Sequence, residues 1–330
     1  MNVLINAPLP KAREKEILQL SPRINLLHAN GHGVAKDRLS QADVIYTEDA
    51  DFDPADAPRL RWVQTNSAAI NHLAEKPIFR CSVPLANVSG AYSIAVAEFA
   101  VGMLIAVSRR IPLGCRYQSE RRWPEDYAPF CGEDLCGKTM GIVGYGSIGR
   151  HIAGISQAMG MTVLACKRNP AIRRDTSYQL PGMGDPDGNI PRAWFGVKQI
   201  AEMFRRSDVV IVSLPHTRDT ENLIGEHELA ALPLHAYLVN VGRGPAIDEH
   251  ALVRCLQSGA IAGAALDVFA CEPLSPDSPL WTLSNVLVMP HVASWTKVQA
   301  ERAAGVLVEN LRRDLGGEPL INVVDKQLMY

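Results

Sequence analysis

Short apolar runs recur along the whole chain, and most of them lack alternating polar positions. We predict strands in NVLINA, INLLHA, ADVIYT, LRWVQT and CSVPLANV, and after residue 138 in TMGIVGYG, TVLAC, DVVIVSL, AYLVNVG, IAGAALDV and NVLVMP. A strand that is apolar on both faces is typical of a parallel sheet with helices on both sides. The pattern therefore predicts covered, parallel sheets.

Helical patterns fill the intervals between these strands. Helices are predicted over residues 94–107, 147–160, 220–232, 248–259 and 296–317. Strands that alternate with helices in this way predict an α/β fold with doubly wound parallel sheets. Two stretches, 109–137 and 169–196, are predicted to be irregular connections, and the second is long for a link between a strand and its neighbour.

Composition places the chain among ordinary globular proteins. Its 330 residues suggest two domains, and the apolar and charged fractions are 47% and 21%. A formal net charge of −2 favours neither nucleic acid nor a membrane surface as a partner. The seven scattered cysteines form no disulfide framework and no metal-ligand pattern, so we expect a cytoplasmic protein without a metal site.

The segment GIVGYGSIGR, residues 141–150, has the spacing of a loop that binds a dinucleotide. In such a loop the first glycine makes a tight turn, the second lets the backbone approach a pyrophosphate, and the third lets the helix pack on the strand. The free N–H groups at the start of the following helix would face the phosphates. A tight turn in an unrelated α/β protein is the alternative. The residues predicted to bind the cofactor here are Gly144, Gly146, Ser147, Ile148 and Gly149.

The next strand ends in Lys167 and Arg168, where the motif usually places an acidic residue that binds the ribose. A carboxylate at this position would repel a 2′-phosphate, whereas these two cations would attract one. We therefore expect NADP(H) to be favoured over NAD(H). The alternative is that both side chains point into solvent.

Further segments resemble the D-isomer-specific 2-hydroxyacid dehydrogenase family, and the resemblance extends over almost the whole chain. They are SDVVIVSLPHTRDTENLIG, LVNVGRGPAIDEHAL, AALDVFACEPL and VMPHVASWT, with LRWVQTNSAAINHL and VAEFAVGMLIAVSRR upstream. The resemblance implies a Rossmann cofactor domain, residues 104–297, inserted in a flavodoxin-like substrate domain made of residues 1–103 and 298–330. It also implies a homodimer with residues 109–137 at the interface.

By the same resemblance, Arg243, Glu272 and His291 are the catalytic residues. Histidine can donate a proton near neutral pH, and a neighbouring carboxylate would orient the ring and stabilise its charged form. The planar arginine can hold the carboxylate and carbonyl oxygens of a substrate together. This set suits the reduction of a small 2-oxoacid by NAD(P)H.

The resemblance assigns binding roles to further residues. Ala68 and Ala69 lie in the loop whose N–H groups hold the substrate carboxylate, together with Arg243 and His291, and Ala69 stands where the family usually has glycine. The cofactor site would also contain Pro215, Thr220, Val241, Arg243, Asp267 and His291.

The function implied is that of a glyoxylate- or hydroxypyruvate-type reductase. Formate dehydrogenases of the family carry Gln at the position of Glu272, which argues against that activity. A phosphite dehydrogenase-like enzyme keeps the same trio and is an alternative. A dinucleotide-sensing module of the corepressor type, which binds other proteins, is the alternative from a different functional class.

Overall fold

The computed structural model describes residues 1–29, 36–175, 177–180 and 182–329. They form two compact units. The first unit is made of Met1–Ser93, Ser177–Pro181 and Trp295–Tyr330, and the second of Ile94–Thr176 and Gly182–Ser294. The family-based domain boundaries, 103/104 and 297/298, stay predictions.

The described residues contain twelve strands, all paired in parallel within their sheets. They are β1 (Asn2–Asn6), β2 (Asn25–His28), β3 (Val44–Thr47), β4 (Trp62–Thr65), β5 (Leu85–Ala86), β6 (Thr139–Val143), β7 (Thr162–Cys166), β8 (Ala193–Phe195), β9 (Val209–Val212), β10 (Tyr237–Asn240), β11 (Gly263–Leu266) and β12 (Val286–Val288).

The helices surround these strands. In the described ranges they are α1 (Lys11–Leu20), α2 (Lys36–Leu39), α3 (Pro77–Arg80), α4 (Ser93–Ser108), α5 (Ile111–Ser119), α6 (Ser147–Ala158), α7 (Ile200–Phe204), α8 (Glu226–Leu229), α9 (Glu249–Ser258) and α10 (Gln299–Gly316). None of these helices combines the length and apolar character needed to cross a lipid bilayer.

The first unit has a five-stranded sheet in its described part, with the order β2-β1-β3-β4-β5. This is the flavodoxin-like order that the family resemblance predicts. Alternate residues of the central strands enter two separate apolar clusters. One contains Leu4, Ile45, Val63 and Leu85, and the other contains Val3, Ile5, Val44, Tyr46 and Trp62 with Leu307 and Leu311 of α10. The sheet is therefore covered on both faces, as its apolar strands predict.

The second unit has a seven-stranded sheet in its described part, with the order β12-β11-β10-β9-β6-β7-β8. Counted from β6, the first strand of this unit, the order is that of a Rossmann fold with one further strand. Two doubly wound parallel sheets, one flavodoxin-like and one Rossmann, confirm the predicted fold class.

Some predicted elements were wrong in detail. The supposedly irregular stretch 169–196 contains β8, a strand too short to show a pattern, although Thr176 and Pro181 lie outside the described residues. The other irregular stretch, 109–137, contains α5. The helix predicted over 220–232 shrinks to α8, because Ile224 pairs with Ile247 in a parallel bridge before the helix can begin.

Candidate active site

The glycine loop lies between β6 and α6, and its glycines have separate steric roles. Gly144 has φ +98°, and a Cβ atom there would lie 2.9 Å from the Ser213 carbonyl oxygen. A Cβ atom on Gly149 would lie 2.4 Å from the Gly144 carbonyl oxygen, so any side chain there would push α6 off the loop. Both positions therefore require glycine for the tight turn and for the close helix.

The N-terminus of α6 has the free donors that a phosphate group needs. Within the described residues, the N–H groups of Ser147, Ile148 and Gly149 donate to no acceptor. Gly146 is exposed, and the space around its Cβ position is open. Unpaired N–H groups at the start of a twelve-residue helix attract anions. The residues present thus fit the pyrophosphate of a dinucleotide.

At the end of β7, Lys167 and Arg168 already have partners within the chain. The Lys167 ammonium donates to the Ile172 carbonyl oxygen at 2.7 Å, and Arg168 pairs with the exposed Asp219 at 3.4 Å. Burial and the nearby charge of Arg150 lower the pKa of Lys167. The end of β7 thus carries two cationic side chains, and the exposed Asp219 is an acidic partner of Arg168.

Arg150 directly follows the glycine motif and was not predicted to matter. It is fully buried, its guanidinium pairs with Asp175 at 3.2 Å, and it donates to the carbonyl oxygens of Arg173 and Asp185. The Tyr145 hydroxyl donates to the Asp185 carboxylate at 2.7 Å. These bonds hold the long connection between β7 and β8 against the glycine loop. A sequence pattern cannot reveal them, because nothing local indicates that an arginine on a helix is buried.

The three predicted catalytic residues follow three neighbouring strands. Arg243 follows β10, Glu272 follows β11 and His291 follows β12, and the carboxyl ends of parallel strands share one edge of the sheet. His291 Nδ1 lies 2.6 Å from Glu272 Oε2. The other carboxylate oxygen of Glu272 accepts the Phe269 N–H at 3.0 Å. The carboxylate is thereby fixed at both oxygens, and it orients the imidazole so that Nε2 has no partner among the described residues.

Asp267 fixes the chain beside His291. It is 1% exposed, and its carboxylate accepts the N–H groups of Val292 and Ala293 at 2.9 and 3.0 Å. Burial raises the pKa of Asp267, against the effect of these two hydrogen bonds. His291 itself has φ 55°, a left-handed conformation that non-glycine residues adopt rarely and often at functional sites. Sequence reasoning assigned Asp267 to the cofactor and missed this positioning role; the cofactor contact stays a prediction.

The Arg243 side chain is half-buried and donates to the Gly242 carbonyl oxygen at 2.6 Å. Burial lowers the pKa of Arg243, and the negative charges of Glu272 and Asp267 offset only part of this decrease. A guanidinium nevertheless stays protonated in proteins. The site therefore contains a permanent positive charge whose remaining donors can bind an anionic substrate.

Three other predicted cofactor residues have structural bonds of their own. The Thr220 hydroxyl donates to the Pro215 carbonyl oxygen at 2.7 Å and accepts the Thr217 N–H at 2.8 Å, which closes the turn after β9. The Val241 N–H donates to the Val212 carbonyl oxygen at 3.0 Å and continues the pairing of β10 with β9. Their contacts with a cofactor stay predictions.

In the first unit, the predicted substrate loop follows β4. Ala68 and Ala69 are half-buried, and within the described residues their N–H groups donate to no acceptor. Their carbonyl oxygens, in contrast, accept from Asn87 Nδ2 at 3.2 Å and from the Ser67 hydroxyl at 2.7 Å. The loop thus turns its carbonyl groups to the protein and keeps two N–H groups available, even with alanine at position 69.

Comparison with known proteins agrees with this arrangement. Residues 101–293 match the model of the family described as D-isomer specific 2-hydroxyacid dehydrogenase, NAD binding domain. The chain is 33% identical over 288 residues to a glyoxylate reductase of Thermofilum pendens, which covers 86% of this chain and 81% of that protein. It is 31% identical over 294 residues to a D-3-phosphoglycerate dehydrogenase of Methanocaldococcus jannaschii, covering 88% of this chain and 53% of that protein.

Solved structures show the same likeness. A D-isomer specific 2-hydroxyacid dehydrogenase from Xanthobacter autotrophicus Py2, in complex with NADPH and MES, has a TM-score of 0.78 at 29% identity and covers 100% of this chain and 99% of its own. A family protein from Aeromonas salmonicida has a TM-score of 0.80 at 29% identity, with 98% and 99% covered. The match over residues 101–293, the two sheets and the similarity to these relatives lead to one conclusion: this chain belongs to the D-isomer specific 2-hydroxyacid dehydrogenase family.

Proposed function

We propose that this protein reduces a small 2-oxoacid of the glyoxylate or hydroxypyruvate type to the 2-hydroxyacid, with NADP(H) favoured over NAD(H). The observation that carries the proposal is the pair of His291 and Glu272, 2.6 Å apart at the edge of the Rossmann sheet. The Thermofilum pendens relative is named a glyoxylate reductase, which supports this substrate class. The bound nicotinamide supplies the hydride.

The residues of the chain supply the remaining chemistry. Because Nδ1 of His291 is engaged by Glu272, the proton that reaches the forming alkoxide comes from Nε2. The positive charge that the imidazole carries before this transfer is stabilised by the Glu272 carboxylate. Asp267 keeps the backbone of His291 in place through the two N–H groups that follow it.

Two groups are suited to the anionic end of the substrate. The Arg243 guanidinium can bind the carboxylate and polarise the carbonyl oxygen that receives the negative charge. The N–H groups of Ala68 and Ala69, unpaired among the described residues, can hold carboxylate oxygens without adding a further charge. Both arrangements favour a 2-oxoacid over a neutral ketone.

The NADP(H) preference rests on Lys167 and Arg168 at the end of β7, where a ribose-binding carboxylate is absent. The Xanthobacter autotrophicus relative was solved with NADPH, which supports the preference. Replacing both cations with Ala should lower the ratio of kcat/KM for NADPH to that for NADH about tenfold or more, since charge-assisted contacts with phosphate are lost. The exposed Lys198, changed to Ala, is a matched control.

We also propose a homodimer that uses residues 109–137. This segment exposes Ile111, Trp123 and Tyr127 by 48, 82 and 60%, and large exposed apolar side chains in one segment favour an interface. Trp123→Asp should shift the mass measured by light scattering towards the monomer. Trp281→Asp changes another exposed Trp outside the segment and should not.

The decisive experiment is NADPH and NADH oxidation at 340 nm with glyoxylate, hydroxypyruvate and larger 2-oxoacids. D-3-phosphoglycerate with NAD⁺ tests the activity named for the Methanocaldococcus jannaschii relative. We expect turnover of a small 2-oxoacid, lowered about 10²-fold or more in His291→Ala. Absence of turnover with every 2-oxoacid and both cofactors would refute the proposed activity.

A further inference from the structure

The connection between β7 and β8 contains a piece that belongs to the first unit. The chain before it and after it is part of the second unit, yet Ser177–Pro181 groups with the first. We call its described part, residues 177–180, the strap. An ordinary link between adjacent Rossmann strands is short and does not include residues that belong to another unit.

The strap is tightly docked within the first unit. The Tyr178 N–H donates to Asn322 Oδ1 at 3.1 Å. Its carbonyl oxygen comes so near to Gly90, whose φ is +90°, that a Cβ atom there would lie 1.9 Å away. The Tyr178 side chain packs against an apolar cluster formed by Val88, Ala91, Ala303 and Val306. Backbone contact this close indicates a fixed position and not a loop resting on the surface.

The residues that receive the strap also hold the predicted substrate loop. Asn322 Nδ2 donates to the Ser89 carbonyl oxygen at 2.8 Å, and Asn87 Nδ2 donates to the Ala68 carbonyl oxygen at 3.2 Å. The Val88 N–H donates to the Ser67 carbonyl oxygen at 3.2 Å.

The Tyr92 hydroxyl completes this support by donating to the Asn66 carbonyl oxygen. Ala68 and Tyr92 pack on the same apolar cluster as Tyr178. Residues 87–92 therefore hydrogen-bond to three successive carbonyl groups of the substrate loop, those of residues 66–68. The same residues also contact the strap. A displacement of Tyr178 would move the support of the loop.

We propose that Tyr178 is a positioning residue for the substrate loop, and that the strap sets the affinity of the enzyme for the 2-oxoacid. This inference rests on the proposed function. The Ala68 and Ala69 N–H groups bind a carboxylate well only at correct distance and angle, so small shifts of the loop weaken substrate binding. The Tyr178 ring packs against the apolar cluster, and a substitution can remove this packing. The backbone N–H that donates to Asn322 is present in every variant except proline.

The test compares Tyr178→Ala with Tyr178→Phe, which keeps the ring. In Tyr178→Ala we expect the KM for the 2-oxoacid to rise about tenfold, the equivalent of one hydrogen bond to a charged group, with the Kd for NADPH and kcat within about twofold of wild type. In Tyr178→Phe we expect the KM for the 2-oxoacid to equal that of wild type. Met183→Ala, in the same connection and 44% exposed, is a matched control that should change nothing.

Binding of oxalate to the enzyme with NADP⁺ gives a second readout that does not depend on turnover. We expect oxalate to bind about tenfold more weakly to Tyr178→Ala than to wild type. If Tyr178→Ala does not fold, Tyr178→Leu, which keeps an apolar side chain, decides the question by the same two measurements.

Three outcomes would overturn the inference. The first is an unchanged KM and oxalate Kd in the folded Ala or Leu variant, with wild type active on 2-oxoacids; this leaves the proposed function intact. The second is an equal loss of NADPH affinity, which would indicate a general structural role. The third is a wild-type enzyme that neither reduces 2-oxoacids nor binds oxalate, which removes the proposed function together with the inference.

Discussion

The hydrogen bond between Glu272 and His291 is the contact whose loss has the most specific expected effect. In Glu272→Gln, the side chain keeps its shape, and its oxygen can still accept the Phe269 N–H that Glu272 accepts at 3.0 Å. The amide group would instead face Nδ1 of His291 as a donor. The imidazole would then carry its single proton on Nε2 and lose the stabilisation of its charged form.

The magnitude follows from the geometry. A hydrogen bond between charged groups contributes about 1.5–3 kcal/mol. Since the His291 and Glu272 side chains are 43 and 35% exposed, solvent screening favours the lower part of this range, about 1.5–2 kcal/mol. Each ~1.4 kcal/mol in the activation free energy changes a rate tenfold, so kcat for reduction should fall roughly 10- to 30-fold.

The assay is steady-state reduction of glyoxylate by NADPH. In Glu272→Gln, kcat should fall in this assay, because the carboxylate that lies 2.6 Å from Nδ1 of His291 is gone. Glu249→Gln is the matched control: Glu249 accepts the neighbouring Ala270 N–H at 3.0 Å but is not the His291 partner. A kcat within twofold of wild type in Glu272→Gln would refute the reasoning.

Three further predictions concern groups around the site. In Asp267→Asn, an NH2 group replaces one of the two carboxylate oxygens that accept the N–H groups of Val292 and Ala293. The loss of one charge-assisted hydrogen bond should lower kcat about tenfold in the glyoxylate assay. An unchanged kcat would exclude the positioning role of Asp267. Gly149→Ala places a methyl group 2.4 Å from the Gly144 carbonyl oxygen. Urea titration should show a loss of about 1–3 kcal/mol in the free energy of unfolding, and NADPH should bind more weakly. Gly154→Ala on the same helix, where the space around the Cβ position is open, should not destabilise the protein. Burial raises the pKa of the Cys166 thiol to about 12, so the thiol stays protonated and unreactive at pH 8. Mass mapping after iodoacetamide treatment at pH 8 should find the exposed Cys271 labelled and Cys166 unlabelled, and rapid labelling of native Cys166 would contradict this.

The local features of the fold could be predicted because they depend on residues near each other in the chain. Apolar runs indicated covered parallel strands, and eleven of the twelve described strands correspond to predicted runs. The missed strand, β8, has only three residues. It is a strand because it pairs with β7 at the edge of the sheet, and this pairing cannot be read from its own residues. The predicted helix over 220–232 failed for a related reason, since Ile224 is taken up by a distant partner, Ile247.

For the candidate site, the sequence by itself determined which residue types are available: the glycines at their fixed spacing, two cations at the end of β7, and an Arg, a Glu and a His after successive strands. These are properties of local spacing and residue chemistry. The tertiary structure alone decided which groups meet: Asp267 with the backbone after His291, buried Arg150 with the β7–β8 connection, and Tyr178 with the first unit. Such contacts join residues far apart in the chain, and burial and pairing arise only when each unit folds.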